Sequence, residues 1–148
     1  MQYDPDEALK LKNQICFPLY AAARRITGAY TPYLKPLGLT YTQYITFMVL
    51  WEQDGLSVSE ICSRLCLDSG TVTPMLKKME SSGWVRRRRS AEDERSVQIF
   101  LTEEGRAMKQ KVSDVPRQVG SCFCLNAEDA QKLYALLYQI LAPECKAE

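Results

Sequence analysis

Apolar residues recur at Ala8, Leu11, Ile15, Leu19, Ala22 and Ile26, the stripe of a helix over about 7–30. Pro18 falls inside it and predicts a kink there. Pro32 and Pro36 mark a break. A second helix is expected over 41–52, with Ile45, Met48 and Val49 inward, and Asp54-Gly55 reads as a turn. Ser57 with Glu60 three residues on has the form of a capping box. It opens a helix through Leu65 whose inner face is Val58, Ile61, Cys62 and Leu65. After Asp68-Ser69-Gly70 another helix carries Val72, Met75, Leu76 and Met79 inward, and Gly83 ends it. Pro74 is tolerated there if it lies near the first turn.

The period then changes. Trp84-Val85 leads into an arginine run, 90–94 is a polar turn, and 96–101 alternates partly as a strand. Thr102 caps a helix with Glu103 and Glu104 in its first turn, and Asn126 opens a last one with Ala130, Leu133, Leu136, Leu137 and Ile140 on one face. Helix, short turn, helix and β-hairpin is the order of a winged helix-turn-helix. The expected fold is therefore mainly α with a small hairpin wing, in a single domain over 1–148. The DNA-binding lobe covers about 34–102. The helices of about 1–33 and 103–148 have apolar faces suited to pairing two subunits into an obligate-type dimer.

The chain of 148 residues carries a formal net charge of only +1, but its distribution is uneven. Lys77, Lys78 and Arg86 to Arg89 stand against one acid, Glu80. Such a run is either a solvated face or a nucleic-acid footprint, and the preceding helix pair tips the balance to DNA. With the apolar face of the second helix turned inward, Ser69, Thr71, Thr73, Lys77 and Lys78 are left to meet phosphates or base edges. Strand alternation prevents Arg86 to Arg89 from all facing one way, and Arg86 and Arg88 are taken as the DNA-facing pair. Arg95, near the hairpin tip, suits a minor groove. No basic, apolar leader opens the chain and no apolar run would span a bilayer, so a cytoplasmic protein is expected. Histidine is absent, which removes the commonest general base and a common zinc ligand. No cofactor or metal is expected. The motifs serve DNA binding rather than turnover, so the chain reads as a regulator and not an enzyme.

The segment 67–80 resembles the recognition helix of MarR-type regulators, and 90–96 with the following strand resembles their wing. Asn13-Gln14-Ile15-Cys16-Phe17 and Thr40-Tyr41-Thr42-Gln43-Tyr44 are similar to the organic-hydroperoxide-sensing OhrR branch of that family. The likeness runs over about 13–113. Pro18 and Cys122-Phe123-Cys124 depart from the pattern. The resemblance implies a homodimeric repressor on double-stranded operator DNA, with an organic hydroperoxide or another oxidant as effector. It implies that Cys16 is the peroxidatic cysteine, that Tyr30 and Tyr41 supply hydroxyl donors, and that Asp93 braces Arg95 in the wing. A resolving thiol would come from Cys122 or Cys124 of the other subunit. Tyr30 lies 14 residues from Cys16, about 21 Å along a continuous helix, so the two meet only across subunits or if the helix folds back. The plainer readings are a buried thiol at Cys16 and aromatic packing at the tyrosines. Among the six cysteines, Cys62 and Cys66 are spaced i, i+4 on one helix face, which suits packing or a soft metal or arsenical, and Cys145 says little. Two rival functions stay open: a regulator of the same type answering to a small aromatic ligand or metal with Cys16 passive, and a thiol peroxidase.

Overall fold

The computed structural model describes residues 4–89, 97–121 and 125–142. In chain order the elements are α1 (Pro5–Ala8), α2 (Cys16–Ala29), α3 (Thr31–Leu34), α4 (Tyr41–Glu52), β1 (Leu56–Ser57), α5 (Val58–Leu65) and α6 (Ser69–Ser81). There follow β2 (Val85–Arg89), β3 (Val97–Leu101), α7 (Glu103–Lys111), α8 (Val115–Gly120) and α9 (Ala127–Leu141). The chain divides into two compact units, 1–116 and 117–148. The first holds the helix pair α5–α6 and the antiparallel sheet, whose strand order is β1-β3-β2. Among the described residues no helix is long and apolar enough to cross a membrane.

The expected helix over 7–30 is broken into α1, a 3-10 turn at Leu11–Asn13 and α2, and the breaks lie upstream of Pro18. Asn13 Nδ2 donates to the Glu7 carbonyl at 2.7 Å, and the Gln14 amide donates to the Ala8 carbonyl. These polar side chains take carbonyls that a continuing helix would have used. Helix α2 then begins at Cys16, which puts Pro18 in its third position. No kink arises, because an N–H in the first turn has no helical acceptor to lose. Pro74 falls the other way. It is the sixth residue of α6, beyond the first turn, and leaves the exposed Gly70 carbonyl without its helical donor.

Helix α4 is the centre of the first unit. Tyr44, Phe47 and Leu50 are buried on it, together with Gln43 and Thr46. The expected inner residues Ile45, Met48 and Val49 are only half-buried. This helix is apolar nearly all round, so periodicity could not choose its face. Gln43 is buried at little cost because it closes the capping box with Thr40, its Oε1 accepting the Thr40 N–H at 2.9 Å. Around α4 lie Leu34, Leu56, Ile61, Val72, Leu76, Met79, Val85 and Ile99, all buried. Phe47 stacks on Trp51 with ring centres 5.2 Å apart and meets Trp84 at 5.7 Å.

Local caps set the remaining boundaries. Ser57 and Glu60 form the expected box. Helix α6 ends in a left-handed Gly83 (φ 76°), with Gly83 N–H donating to Glu80 and Trp84 N–H to Met79. This reversal turns the chain into β2 within three residues. The Asp54-Gly55 bend is a junction: Asp54 accepts the Leu101 N–H at 2.8 Å and pairs with Arg106 of α7 at 2.5 Å. Helix α2 has no buried residue, and Ile15 before it is 83 % exposed. In the second unit α9 likewise buries none of its side chains, although Leu133, Leu136 and Ile140 share a face as expected.

Candidate nucleic-acid interface and thiol site

Helix α6 is opened by Asp68, which accepts the Thr71 N–H at 2.9 Å and the Thr71 hydroxyl at 2.8 Å. The hydroxyl and then the backbone bond from Thr71 hold the Asp68 carboxyl below its usual range. The folded value lies below the unfolded one. The contribution of the cap is therefore complete above the ordinary aspartate range and is lost as pH falls through the lowered value. Asp68→Ala is expected to destabilise the fold, read as a lower urea midpoint at unchanged slope. An unchanged midpoint would mean the cap does not form in solution.

Ser69, Lys77 and Lys78 are exposed, as expected of groups that meet DNA. Thr71 is exposed, but its hydroxyl proton is committed to Asp68. Thr73, expected to face outward, is half-buried. It shares the 73/76/80 row of α6 with Leu76 and lines a cavity of about 200 Å³ with Val58, Arg87 and Val97. That row looks toward the wing.

In the wing, Arg86 pairs with Phe100 and Arg88 with Gln98, so these four share one face of the hairpin. The Arg88 guanidinium lies over the Phe100 ring, 5.6 Å from its centre. Arg87 sits opposite the buried Ile99 and bonds to Glu80 of α6. Sequence reasoning passed over both members of that pair, counting Glu80 only as the one acid in a basic run. Asp93 and Arg95 lie outside the described residues, as do Cys122, Cys124 and Cys145.

Cys16 is exposed at the first position of α2. Its thiol donates to Gln14 Oε1 at 3.9 Å, and Ile15, Phe17 and Leu19 around it are exposed too. Tyr30 caps the far end of the same helix. There its ring meets Tyr41 at 4.9 Å and Tyr44 at 5.6 Å. The structure thus joins Tyr30 and Tyr41 and keeps Cys16 of the same chain away from them. An unbroken α2 of 14 residues, about 21 Å, removes the folded-back alternative. Burial, and then the neighbouring Tyr30, raise the Tyr41 phenol; the same causes, with Tyr41 added, push Tyr44 up to about 12. Both keep their protons at neutral pH and are donors. Tyr44 was missed as part of this cluster, although its i, i+3 spacing from Tyr41 on one helix was a usable signal. Tyr44 also lines a cavity of about 450 Å³ with Met48, Trp51, Lys109 and Val112.

Cys62 and Cys66 do not share a regular helix face. Cys66 is the left-handed cap of α5 (φ 53°), beyond the last helical turn, which turns its side chain off the α5 register. Among the described residues no group of three metal-ligating side chains forms.

The profile of the family described as transcriptional regulator SarA/Rot matches residues 29–112. A relative in Bacillus subtilis, an organic hydroperoxide resistance transcriptional regulator, is 47% identical over 133 residues, 90% of each chain. Among solved structures, reduced AbfR bound to DNA aligns with a TM-score of 0.76 at 36% identity, covering 93% of this chain and 96% of the other. Disulfide-formed AbfR aligns at 0.62 and 35% identity, over 93% and 96% of the two chains. AbfR is a protein of Staphylococcus epidermidis.

Proposed function

Because the chain belongs to the SarA/Rot family of transcriptional regulators, within the MarR type, we propose that it is a homodimeric, operator-binding repressor that organic hydroperoxides release through Cys16. The observation that carries this reading is the split between the ends of α2. One end bears an exposed thiol among unburied apolar residues, and the other bears the clustered phenols of Tyr30 and Tyr41. Two such helices docked antiparallel about a twofold axis set each Cys16 against the Tyr30–Tyr41 pair of the other subunit and cover both apolar faces. The phenols then donate to the thiolate, and Ile15, Phe17 and Leu19 receive an alkyl chain.

The chemistry is a two-electron transfer. The thiolate sulfur attacks the outer peroxide oxygen, the O–O bond breaks, and the leaving alkoxide takes a proton to become the alcohol. Sulfur is oxidised to the sulfenic acid and the peroxide is reduced. Condensation with a second thiol, Cys122 or Cys124 of the other subunit, gives a disulfide and water. Each Cys16 consumes one hydroperoxide in this step, as a sensor requires. Release follows from a change in the separation of the two α6 helices, which must match successive major grooves about 34–36 Å apart.

The test is operator binding before and after an organic hydroperoxide, with mass spectrometry of Cys16. Loss of binding together with oxygen or a disulfide on Cys16 supports the reading. Retention of DNA by a protein oxidised at Cys16 removes it, and sustained hydroperoxide consumption with a dithiol reductant would make it an enzyme. The 450 Å³ cavity beside Tyr44 favours one rival, a regulator released by a small aromatic ligand, since its volume is in the range of ligand sites. Release by such a ligand with no effect of peroxide would select that rival.

Contact with DNA is assigned to Ser69, Thr71, Thr73, Lys77 and Lys78 on α6, and to Arg86, Arg88 and Arg95 on the wing with Asp93 orienting Arg95. Lys77→Ala or Lys78→Ala is expected to weaken binding to all sequences alike. Each should lower the slope of log affinity against log salt by about one unit, as measured by fluorescence anisotropy over a salt series. A loss confined to one base position would make the residue a base reader instead.

A further inference from the structure

We propose that Glu80 is a positioning residue for operator recognition, clamping the wing to the recognition helix through Arg87. The proposal rests on the DNA-binding reading above and adds to it a residue that need not touch DNA.

Glu80 stands in the last turn of α6 and Arg87 in the middle of β2. One carboxylate oxygen, Oε1, accepts the Arg87 backbone N–H at 3.0 Å, and the other, Oε2, accepts Arg87 Nε–H at 2.6 Å. Strand β2 is the outer strand of the sheet, so this N–H points away from β3 with no strand to receive it. Glu80 supplies the acceptor that an edge strand otherwise lacks. The two bonds from one rigid carboxylate fix direction as well as distance. They also keep the Glu80 carboxyl below its usual range, the Arg87 side chain contributing first and its backbone next.

The clamp matters because, at that height, packing holds the central strand β3 through the buried Ile99 but does not hold the edge strand β2. At its root the wing is anchored by the buried pair Val85 and Leu101. Farther out, Thr73 and Leu76 on α6 are separated from Arg87 and Val97 by the 200 Å³ cavity. The hold of α6 on the edge strand of the outer wing is therefore a polar bridge beside a gap. DNA sees both elements at once, one in a major groove and the other beside it, so that hold belongs to the binding geometry. Both partners are about a third exposed, so the pair adds little to global stability. Its role and its contribution to folding can be separated.

Charge and position predict opposite signs. Removing an acid from a basic DNA-binding face strengthens attraction to any duplex. Loss of a clamp weakens operator binding and leaves that general attraction in place. The experiment measures operator and random-sequence duplex affinities for wild type, Glu80→Ala, Glu80→Gln, Arg87→Lys and the Glu80→Ala/Arg87→Lys double variant. Thermal midpoints and dimer mass are measured in parallel. Expected for Glu80→Ala is at least a tenfold loss on operator, unchanged or tighter binding to random duplex, and a midpoint within about 2 °C of wild type. Glu80→Gln falls between, since its oxygen still takes the backbone N–H while its amide cannot accept from Nε. Arg87→Lys keeps the charge and loses the Nε bond. In the double variant it adds nothing to Glu80→Ala, because the bridge is already gone. Operator binding by Glu80→Ala equal to or tighter than wild type overturns the proposal. So does an equal loss on both duplexes, or additive losses in the double variant. If Glu80→Ala unfolds, Glu80→Gln and Arg87→Lys decide by the same ratios. A wild-type protein that binds neither duplex refutes the DNA-binding reading itself, a result distinguishable from failure of the clamp.

Discussion

Cys16→Ser is expected to give a protein that holds operator DNA with wild-type affinity and keeps holding it at hydroperoxide concentrations that release the wild type. Serine is nearly the size of cysteine. Position 16 is exposed in the single subunit and makes one long contact to Gln14, so folding loses no interaction of weight, and a serine oxygen can still accept from the phenols across the proposed dimer. The hydroxyl cannot take an oxygen atom from a peroxide, so the step that starts release is missing. The effect is a loss of response rather than a shift in it, and an anisotropy titration with and without oxidant reads it directly. A companion variant with Cys122 and Cys124 both replaced by Ser separates trigger from lock. If either resolves the sulfenic acid, oxidised wild type runs as a covalent dimer on a non-reducing gel and the double variant does not. Release of the Cys16→Ser protein by peroxide would place the sensor elsewhere, with Cys66, exposed beside the recognition helix, the first residue to test.

Gly105→Ala is expected to be the most damaging single-methyl change in the first unit. A β-carbon there would lie 2.1 Å from the Trp84 carbonyl oxygen and 3.1 Å from Leu101 Cδ2. The first obstacle is backbone and cannot rotate aside. That backbone is itself held, since Trp84 O accepts both the Thr102 N–H and the Thr102 hydroxyl at 3.1 Å. Relief requires α7 to back away from the root of the wing. That movement breaks the cap from Thr102 to the Gly105 N–H and the bond from Trp51 Nε1 to the Gly105 carbonyl, 3.1 and 3.0 Å in the native arrangement. Overpacking of this kind costs about 3 kcal/mol, and the lost bonds add to it. A fall of roughly 10 °C in thermal midpoint corresponds to that loss in a chain of this size. Circular dichroism melts at fixed protein concentration measure it. A midpoint within 2 °C of wild type would show that α7 does not approach Trp84 this closely.

Features decided within a few residues were legible in the sequence. Ser57 with Glu60, Thr102, Asn126 and Gly83 each set a helix boundary where expected, because a cap is satisfied by its own neighbours. Features decided by the rest of the fold were not. Helix α4 offers apolar residues on every side, and only packing selects Tyr44, Phe47 and Leu50 as the innermost. The two-residue β1 has no alternation to detect and exists because β3 passes beside it. Asn13 and Gln14 gave no warning of the break before Cys16, since the carbonyls they engage lie six residues back. At the candidate site, the resemblance to the OhrR branch, and not residue type, pointed to Cys16, Tyr30 and Tyr41. Only coordinates could show that the tyrosines meet each other, that Thr71 is committed to a cap, and that Glu80 reaches across to the wing.

The unburied apolar side of α2 has a consequence for how the cell keeps this protein in balance. A subunit without a mate displays Ile15, Phe17, Leu19 and Tyr20 on one short stretch of surface. An apolar display of that kind is what holdase chaperones and housekeeping proteases bind. In the proposed dimer a second copy covers that stretch, so single copies are expected to be the form that is cleared or retained. A substitution that weakens pairing is then expected to appear in the cell first as low abundance.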